Sequence, residues 1–594
     1  MLSAGFMLAA ASCTDYDDYN SVPGLDSQAG ADKTLWENIA GDAQLTKFAA
    51  LAQKSRFSEV LNSPRYYTLW APVDAAIDDA EYNRLMGSDS ATIVKEFMYQ
   101  HMTEYSHPIS SKLDSVTIVS LNEKHHPFTQ LHFDGHSYIG GAVNMPSTNG
   151  LMHKINGMSV YHNNIYEAID QLQGCDLLKA YIQKYDEYYL DLNASVVGPL
   201  RDGKQTYLDS VMKKRNTVIT SLMGARLDNE DSTYCMIVPN DKAWKAAYDT
   251  VTLRYNYIPT LDYMDLTKKS SVASSTSAAT AKAEKAATAD NDLQDSLTCQ
   301  NVVSDLVFSK SNWRNAPFFG EGSFTANDTV VSATRNWLTR PQEVIDHTVE
   351  FNPMSNGFMR IVDSLTYEPT ETYSPVLGYI YPEQTLKVKK LTQHSIPVDS
   401  LAKRDTLFSK VPPMIRQWIL PETSRFFTYV GVDSADVDGK TGVPEFNFAL
   451  RDVRSETYHI YVVTVPEQVI DTAAIVRPYY LRFYLSWTDA NNKQQYEVLP
   501  KGAKSTLKII TDEGENTDKL IYLGDPGRVN VIDLGEFNFP VCYYGLDAYP
   551  SLMMMHTEKY TTDKMRRSYD QQMRVAGVFL VPKKYNDAWA NSNE

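Results

Sequence analysis

Thr68-Leu-Trp-Ala-Pro-Val-Asp-Ala-Ala-Ile77 returns in altered form as Tyr234-Cys-Met-Ile-Val-Pro-Asn-Asp-Lys-Ala-Trp244, with the two prolines 167 residues apart. Each copy is a short apolar strand, Leu69-Trp70 or Met236-Ile237-Val238, that stops at Pro72 or Pro239 and turns into a helix led by Asp74 or Asp241. Proline lacks the N–H that a strand ladder needs, and a short aspartate side chain can accept from the free N–H groups of a helix start. A second landmark recurs, Asn149-Gly-Leu-Met-His-Lys-Ile155 against Asn356-Gly-Phe-Met-Arg-Ile-Val362, a tight turn leading into a strand. The chain carries an internal duplication.

These landmarks resemble the two signature regions of the fasciclin domain, an apolar strand with Ala-Pro-Thr-Asp and, further on, Asn-Gly-apolar-apolar-His. Phe97-Met-Tyr-Gln-His101 is similar to the family's central Tyr-His, with Gln100 inserted. The second copy departs further, with Asn240 before Asp241 and Arg360 where the family has histidine. The resemblance implies two tandem α+β fasciclin-like domains, residues 33–163 and 164–365, used for adhesion and binding and carrying no catalytic residues. It also implies that His101 and His153 are structural.

With 594 residues the chain has room for about four domains by length alone. Hydrophobic residues at 43% and 38 tyrosines mark it as globular rather than disordered. A net charge of −17 argues against nucleic acid or an anionic membrane as a partner held by a general basic field.

Met1–Ser12 is small and apolar and ends in Ala-Ala-Ser before Cys13, which resembles a bacterial lipobox. Residues 1–13 therefore read as a lipoprotein signal peptide with Cys13 as the lipidated residue. A stub of buried helix is the plainer alternative. The first basic residue is Lys33, so the charged start of such a signal is expected upstream of Met1. The tether 14–32 carries Asp15, Asp17 and Asp18, similar to the acidic signal that sends some lipoproteins to the outer face of the outer membrane. Localisation is thus expected at the outer membrane, lipid-anchored and surface-exposed. Cys175, Cys235, Cys299 and Cys542 form no Cys-x-x-Cys pair; their even number permits a disulfide, while sparse usage favours buried thiols.

Asp241 to Asn356 spans 115 residues where Asp74 to Asn149 spans 75. Most of the excess is the Ser/Ala/Thr-rich stretch within 268–292, which reads as a disordered surface insert, with a short helix over Thr280–Ala289 as the alternative. From 366 to 594 the period becomes two. Leu481, Phe483, Leu485 and Trp487 alternate with Tyr480, Arg482, Tyr484 and Ser486, and further strands follow at Thr457–Val465, Val529–Leu534 and Arg574–Val581. That pattern predicts an all-β C-terminal sandwich of jelly-roll type.

Eight of the twelve histidines lie between His101 and His162, but their spacing matches no zinc pattern. Gly198-Pro-Leu-Arg-Asp-Gly-Lys204 nearly spells a phosphate loop, yet Gln205 follows where Ser or Thr would hold magnesium, so it reads as a surface loop. Ser434, Asp436, Asp438, Gly439 and Glu445 fall at oxygen-ligand positions of a calcium loop, against the plainer reading of an acidic hairpin. No Gly-x-Ser-x-Gly or His-Glu-x-x-His is present. No cofactor or catalytic residue is expected, and the protein reads as a non-enzyme. For a ligand, the Tyr543-Tyr544 turn with Tyr549 is the candidate set of exposed rings, since sugar C–H faces stack on aromatic faces. The combined expectation is a cell-surface lipoprotein of adhesion or ligand capture, taking a polysaccharide or peptide beside an outer-membrane importer. The alternative is an accessory subunit of a Sus-like transporter with no ligand of its own.

Overall fold

The computed structural model describes residues 29–593, except 194, 265–284, 291, 401–406, 422–423, 434–435, 438–443, 470–472, 476, 478, 500–509, 512–513, 516–520, 523–527, 557–569 and 571. Cys13, residues 14–28 of its acidic tether and most of the 268–292 insert lie outside the described residues. Two compact units are formed. One holds the described residues up to Asn240 together with Val307–Ser323 and Thr348–Val362; the other holds Asp241–Leu306, Phe324–His347 and the chain from Asp363 onward. The span 164–365 is therefore shared between two units.

In the first unit, the strand Tyr67–Pro72 runs parallel to Gly150–Ile155, flanked by antiparallel Met102–Glu104 and Met145–Ser147. Every residue of the two central strands is buried, because both faces of the sheet are covered. On one side the helices Leu35–Ala40 and Thr46–Lys54 contribute Leu35, Ile39, Phe48 and Leu51 to the core. On the other, Trp70 stacks 4.2 Å from Phe133 and packs with Ile118 and Phe128 of a small antiparallel sheet.

A second four-stranded sheet in the same unit repeats this order with Val307–Ser309, Tyr234–Pro239, Gly357–Val362 and Thr348–Met354. The registers match residue for residue: Tyr67↔Gly150 through Pro72↔Ile155 in one, Tyr234↔Gly357 through Pro239↔Val362 in the other. Each glycine sits so close to the tyrosine carbonyl that a side chain has no room. The preceding asparagines are wired alike. Asn149 Oδ1 accepts from Leu35 N at 2.8 Å and its Nδ2 donates to the carbonyls of Leu61 and Ser63 at 2.9 and 2.6 Å. Asn356 Oδ1 accepts from Ile165 N at 2.9 Å and its Nδ2 donates to Leu227 and Asn229 at 2.8 and 3.1 Å. Each of these helix starts also carries a capping box, Thr34 with Glu37 and Asn164 with Glu167.

Asp74 does not cap the turn it opens. Its carboxylate instead accepts from Thr46 N at 3.1 Å and Lys47 N at 2.8 Å, so it caps the helix Thr46–Lys54, which lies earlier in the chain. Asp241 opens the helix Asp241–Thr252 as the sequence predicts.

The second unit contains two six-stranded antiparallel sheets. One is built around Met573–Pro582 and Thr457–Thr464, the other around Tyr479–Thr488 and Ser551–His556. Val462, Val578 and Leu580 of one share a core with Leu481, Phe483 and Leu485 of the other. Helix Pro413–Ile419 packs with Phe427 and Phe579 in a second core, so Met573–Pro582 is buried along its whole length. That extra layer was not legible in the alternation of the strands.

Within the insert, residues 285–288 are neither loop nor helix. Lys285–Thr288 pairs antiparallel with Thr260–Tyr263, whose Leu261 and Tyr263 enter the core of the second unit. Burial available to those two side chains outweighs the weak strand preference of the Ala-rich partner.

Candidate functional site

The aromatic set expected at the C-terminal turn is not an exposed platform. Tyr543 is fully buried, its hydroxyl accepting from Thr488 N at 2.8 Å, and Tyr549 is buried edge-on against Tyr263. Tyr544 is half-buried, with the Arg454 guanidinium 4.5 Å over its ring. The packing of this turn takes the Tyr543 ring into the core and leaves Tyr544 half-buried beside the exposed Gly545.

Of the calcium candidates, Glu445 begins the strand Glu445–Ala449 and is buried, its Oε2 has no hydrogen-bond partner among the described residues, and burial raises its carboxyl above the ordinary range. Asp436 donates its N–H to the Asp433 carbonyl at 2.8 Å, and Ser434, Asp438 and Gly439 lie outside the described residues. Among the described residues no group of three or more His, Cys, Asp or Glu side chains is placed to hold a metal.

His101 and His153 are core groups. His101 Nδ1 donates to the Phe97 carbonyl at 2.7 Å and its Nε2 accepts from Ser159 N at 3.0 Å; burial pushes it down to about 4. His153 accepts from Asn144 N at 3.2 Å, stacks on Trp70 and is pushed by burial down to about 3. In the second copy Arg360 donates to the Phe318 carbonyl at 2.8 Å, with its guanidinium 4.0 Å over the Phe351 ring. All four described cysteines are buried, and burial raises the Cys235 and Cys542 thiols to about 12 and about 11, so neither of those two is a ready nucleophile.

A cleft of about 1410 Å3 lies within the first unit, lined by residues 55–125 of the first copy and 163–231 of the start of the second. Two of its lining residues, Glu167 and Glu230, belong to an ion cluster centred on a buried lysine. Lys124, whose side chain is 5% exposed, donates to Glu230 at 2.6 Å, Glu167 at 3.0 Å and Ser355 Oγ at 3.0 Å. Burial works to raise the Glu167 carboxyl, but Lys124 and Lys95 outweigh it and hold it at about 2. One wall is the hairpin of Asp186–Leu190 with Met212–Asn216, which presents Tyr188 at 66% and Tyr189 at 45% exposure. Lys213 at the hairpin's end binds Glu123 at 2.7 Å and Asp191 at 2.9 Å, and Lys214 binds Asp170 at 2.9 Å. Tyr99 donates to Asp209, whose carboxyl is raised by burial. A second hollow of about 500 Å3 shares Tyr99, Glu123 and Asp209 with the cleft.

The sequence reading passed over Glu187-Tyr-Tyr-Leu190. Its signal was the same adjacent Tyr-Tyr that drew attention to residues 543–544, but with charged neighbours and no apolar alternation to carry the rings inward. The loop Gly198–Lys204 is indeed a surface turn, with Leu200 exposed and Pro199 and Arg201 at the margin of the cleft.

Residues 43–158 match the fasciclin domain family. This part of the chain is a fasciclin domain, a type associated with adhesion rather than catalysis. No curated protein matches the chain. Among solved structures, similarity is found to a FAS1 domain pair from the insect cell adhesion molecule fasciclin I. It has 10% identity and a TM-score of 0.16 and covers 57% of this chain and 97% of that one. An alpha-L-fucosidase from Vibrio sp. strain EJY3 is similar over 26% of this chain and 22% of its own, at 12% identity and a TM-score of 0.12. Neither likeness bears on how the present chain is arranged or what it does.

Proposed function

We propose that the chain is a non-catalytic surface protein of adhesion or ligand capture, built from the fasciclin domain at 43–158, a second fasciclin-like copy over 164–365 and a C-terminal sandwich of jelly-roll type. The matched strand registers and the identically wired Asn149 and Asn356 support the second copy. Two facing six-stranded sheets with one core between them support the sandwich. In the same proposal Cys13 carries a lipid that holds the protein at the outer face of the outer membrane beside an importer.

The observation that carries the functional reading is the cleft of the first unit. It is large, open and walled by exposed tyrosines, and Glu167 and Glu230 of its lining are already paired with Lys124. That arrangement offers shape and ring faces to a ligand. The protein lacking residues 1–13, screened on an array of glycans and extended peptides, should retain at least one class of ligand. An array on which nothing is retained would refute ligand capture. For the anchor, Cys13→Ala should move the protein from the membrane to the soluble fraction; unchanged membrane recovery would remove lipidation from the proposal.

A further inference from the structure

We infer that the cleft takes an uncharged polysaccharide, seated on the open face of Tyr188, rather than an anionic glycan or a basic peptide; this rests on the cleft being a capture site. The lining holds nine Asp or Glu residues to six Lys or Arg, so a carboxylated or sulfated polymer meets a wall of its own sign. Five of the six cations that could offset this are engaged in ion pairs, Arg56 with Glu59 and Arg226 with Asp228 among them, and Arg201 is the exception among the described residues. Lys95 is 2.9 Å from Glu167, Lys213 is held by Glu123 and Asp191, and Lys214 by Asp170. An anionic ligand would have to break those pairs.

A basic ligand is drawn by that net acidity, but it finds several of the carboxylates already paired. Glu167 and Glu230 are tied to the buried Lys124, and Glu96 accepts from Arg84 at 2.7 Å. Displacing a cation from a partly buried pair leaves one charge unpaired, which offsets the new contact. An uncharged polyhydroxylated chain disturbs none of these pairs.

The remaining surface suits such a chain. Tyr188 is two-thirds exposed on the hairpin strand, and its ring can lie against the apolar face of a pyranose. Asn163 and Gln171, joined at 3.0 Å, supply amide groups that donate to or accept from hydroxyls with equal ease. The volume of about 1410 Å3 exceeds the roughly 300–1,000 Å3 of small-molecule pockets, and the hollow of about 500 Å3 adjoins it. Together they have room for several sugar rings of a polymer.

The test is affinity electrophoresis and calorimetry of the full chain lacking residues 1–13 against neutral polymers (α- and β-glucan, mannan, xylan) and charged ones (alginate, heparin, poly-lysine). At least one neutral polymer should bind, with less than a twofold change in affinity between 50 and 500 mM NaCl, because few counterions are released. Tyr188→Ala should weaken that binding about tenfold while Tyr188→Phe retains it, the loss expected for one aromatic contact. The ring is exposed, so neither substitution threatens the fold. Binding of charged polymers alone, or a steep salt dependence, overturns this inference and leaves ligand capture standing. Neutral binding that Tyr188→Ala does not weaken overturns the placement. Binding of no polymer and no peptide overturns the capture reading with it.

Discussion

Replacing Asn149 by alanine removes three buried hydrogen bonds at once, those to Leu35 N and to the carbonyls of Leu61 and Ser63, and Asn356→Ala removes the equivalent three at Ile165, Leu227 and Asn229. Both asparagines are at least 96% buried, so water cannot readily take their place. At a net 0.5–1.5 kcal/mol per bond, with orphaned backbone groups pushing toward the upper end, each substitution should cost about 2–4 kcal/mol. Hydrogen exchange reads this directly, because Leu35 and Ile165 are the amides that lose an acceptor. At 1.4 kcal/mol per tenfold, exchange in the segment holding the affected amide should quicken by roughly 30- to 700-fold. The two substitutions should act alike, each chiefly in its own copy. If Asn149→Ala accelerates exchange at Leu35 while Asn356→Ala leaves Ile165 within about threefold of wild type, the claim that the second copy is held together as the first is refuted.

Lys124→Met strips the buried Glu230 and Glu167 of their shared cation and should cost about 3–5 kcal/mol in urea unfolding, with the double variant Lys124→Met/Glu230→Gln recovering much of it. His101 and His153 have folded values depressed from 6.5 to about 4 and about 3, so their contribution is intact above pH 6.5 and is lost as pH falls toward those values. Each should steepen the loss by about 1.4 kcal/mol per pH unit, and a His101→Gln variant whose unfolding profile between pH 7 and 4.5 parallels wild type would contradict this. Asp74→Ala should cost about 0.5–2 kcal/mol and loosen the helix Thr46–Lys54 rather than the turn Asp74–Ala76, as exchange at Thr46 and Lys47 would show.

The residues themselves determined the duplication and the strand faces. A proline after an apolar run and an Asn-Gly before one are local requirements of backbone geometry, so Pro72 and Pro239, Gly150 and Gly357 mark the same places in two sheets wherever the rest of the chain goes. Alternation likewise fixed Leu481, Phe483 and Leu485 as one buried face, because a pleated strand has only two. Tertiary structure decided what each face meets. Asp74 was legible as a cap but not as the cap of a helix that precedes it by some thirty residues, since only chain folding brings Thr46 to it. Tyr543 and Tyr188 each belong to an adjacent Tyr-Tyr pair, and one is in a core while the other is open, because burial depends on which distant element packs against the pair. The cleft is likewise assembled from both copies, and no local pattern could foretell that residues 55–125 and 163–231 would wall one space.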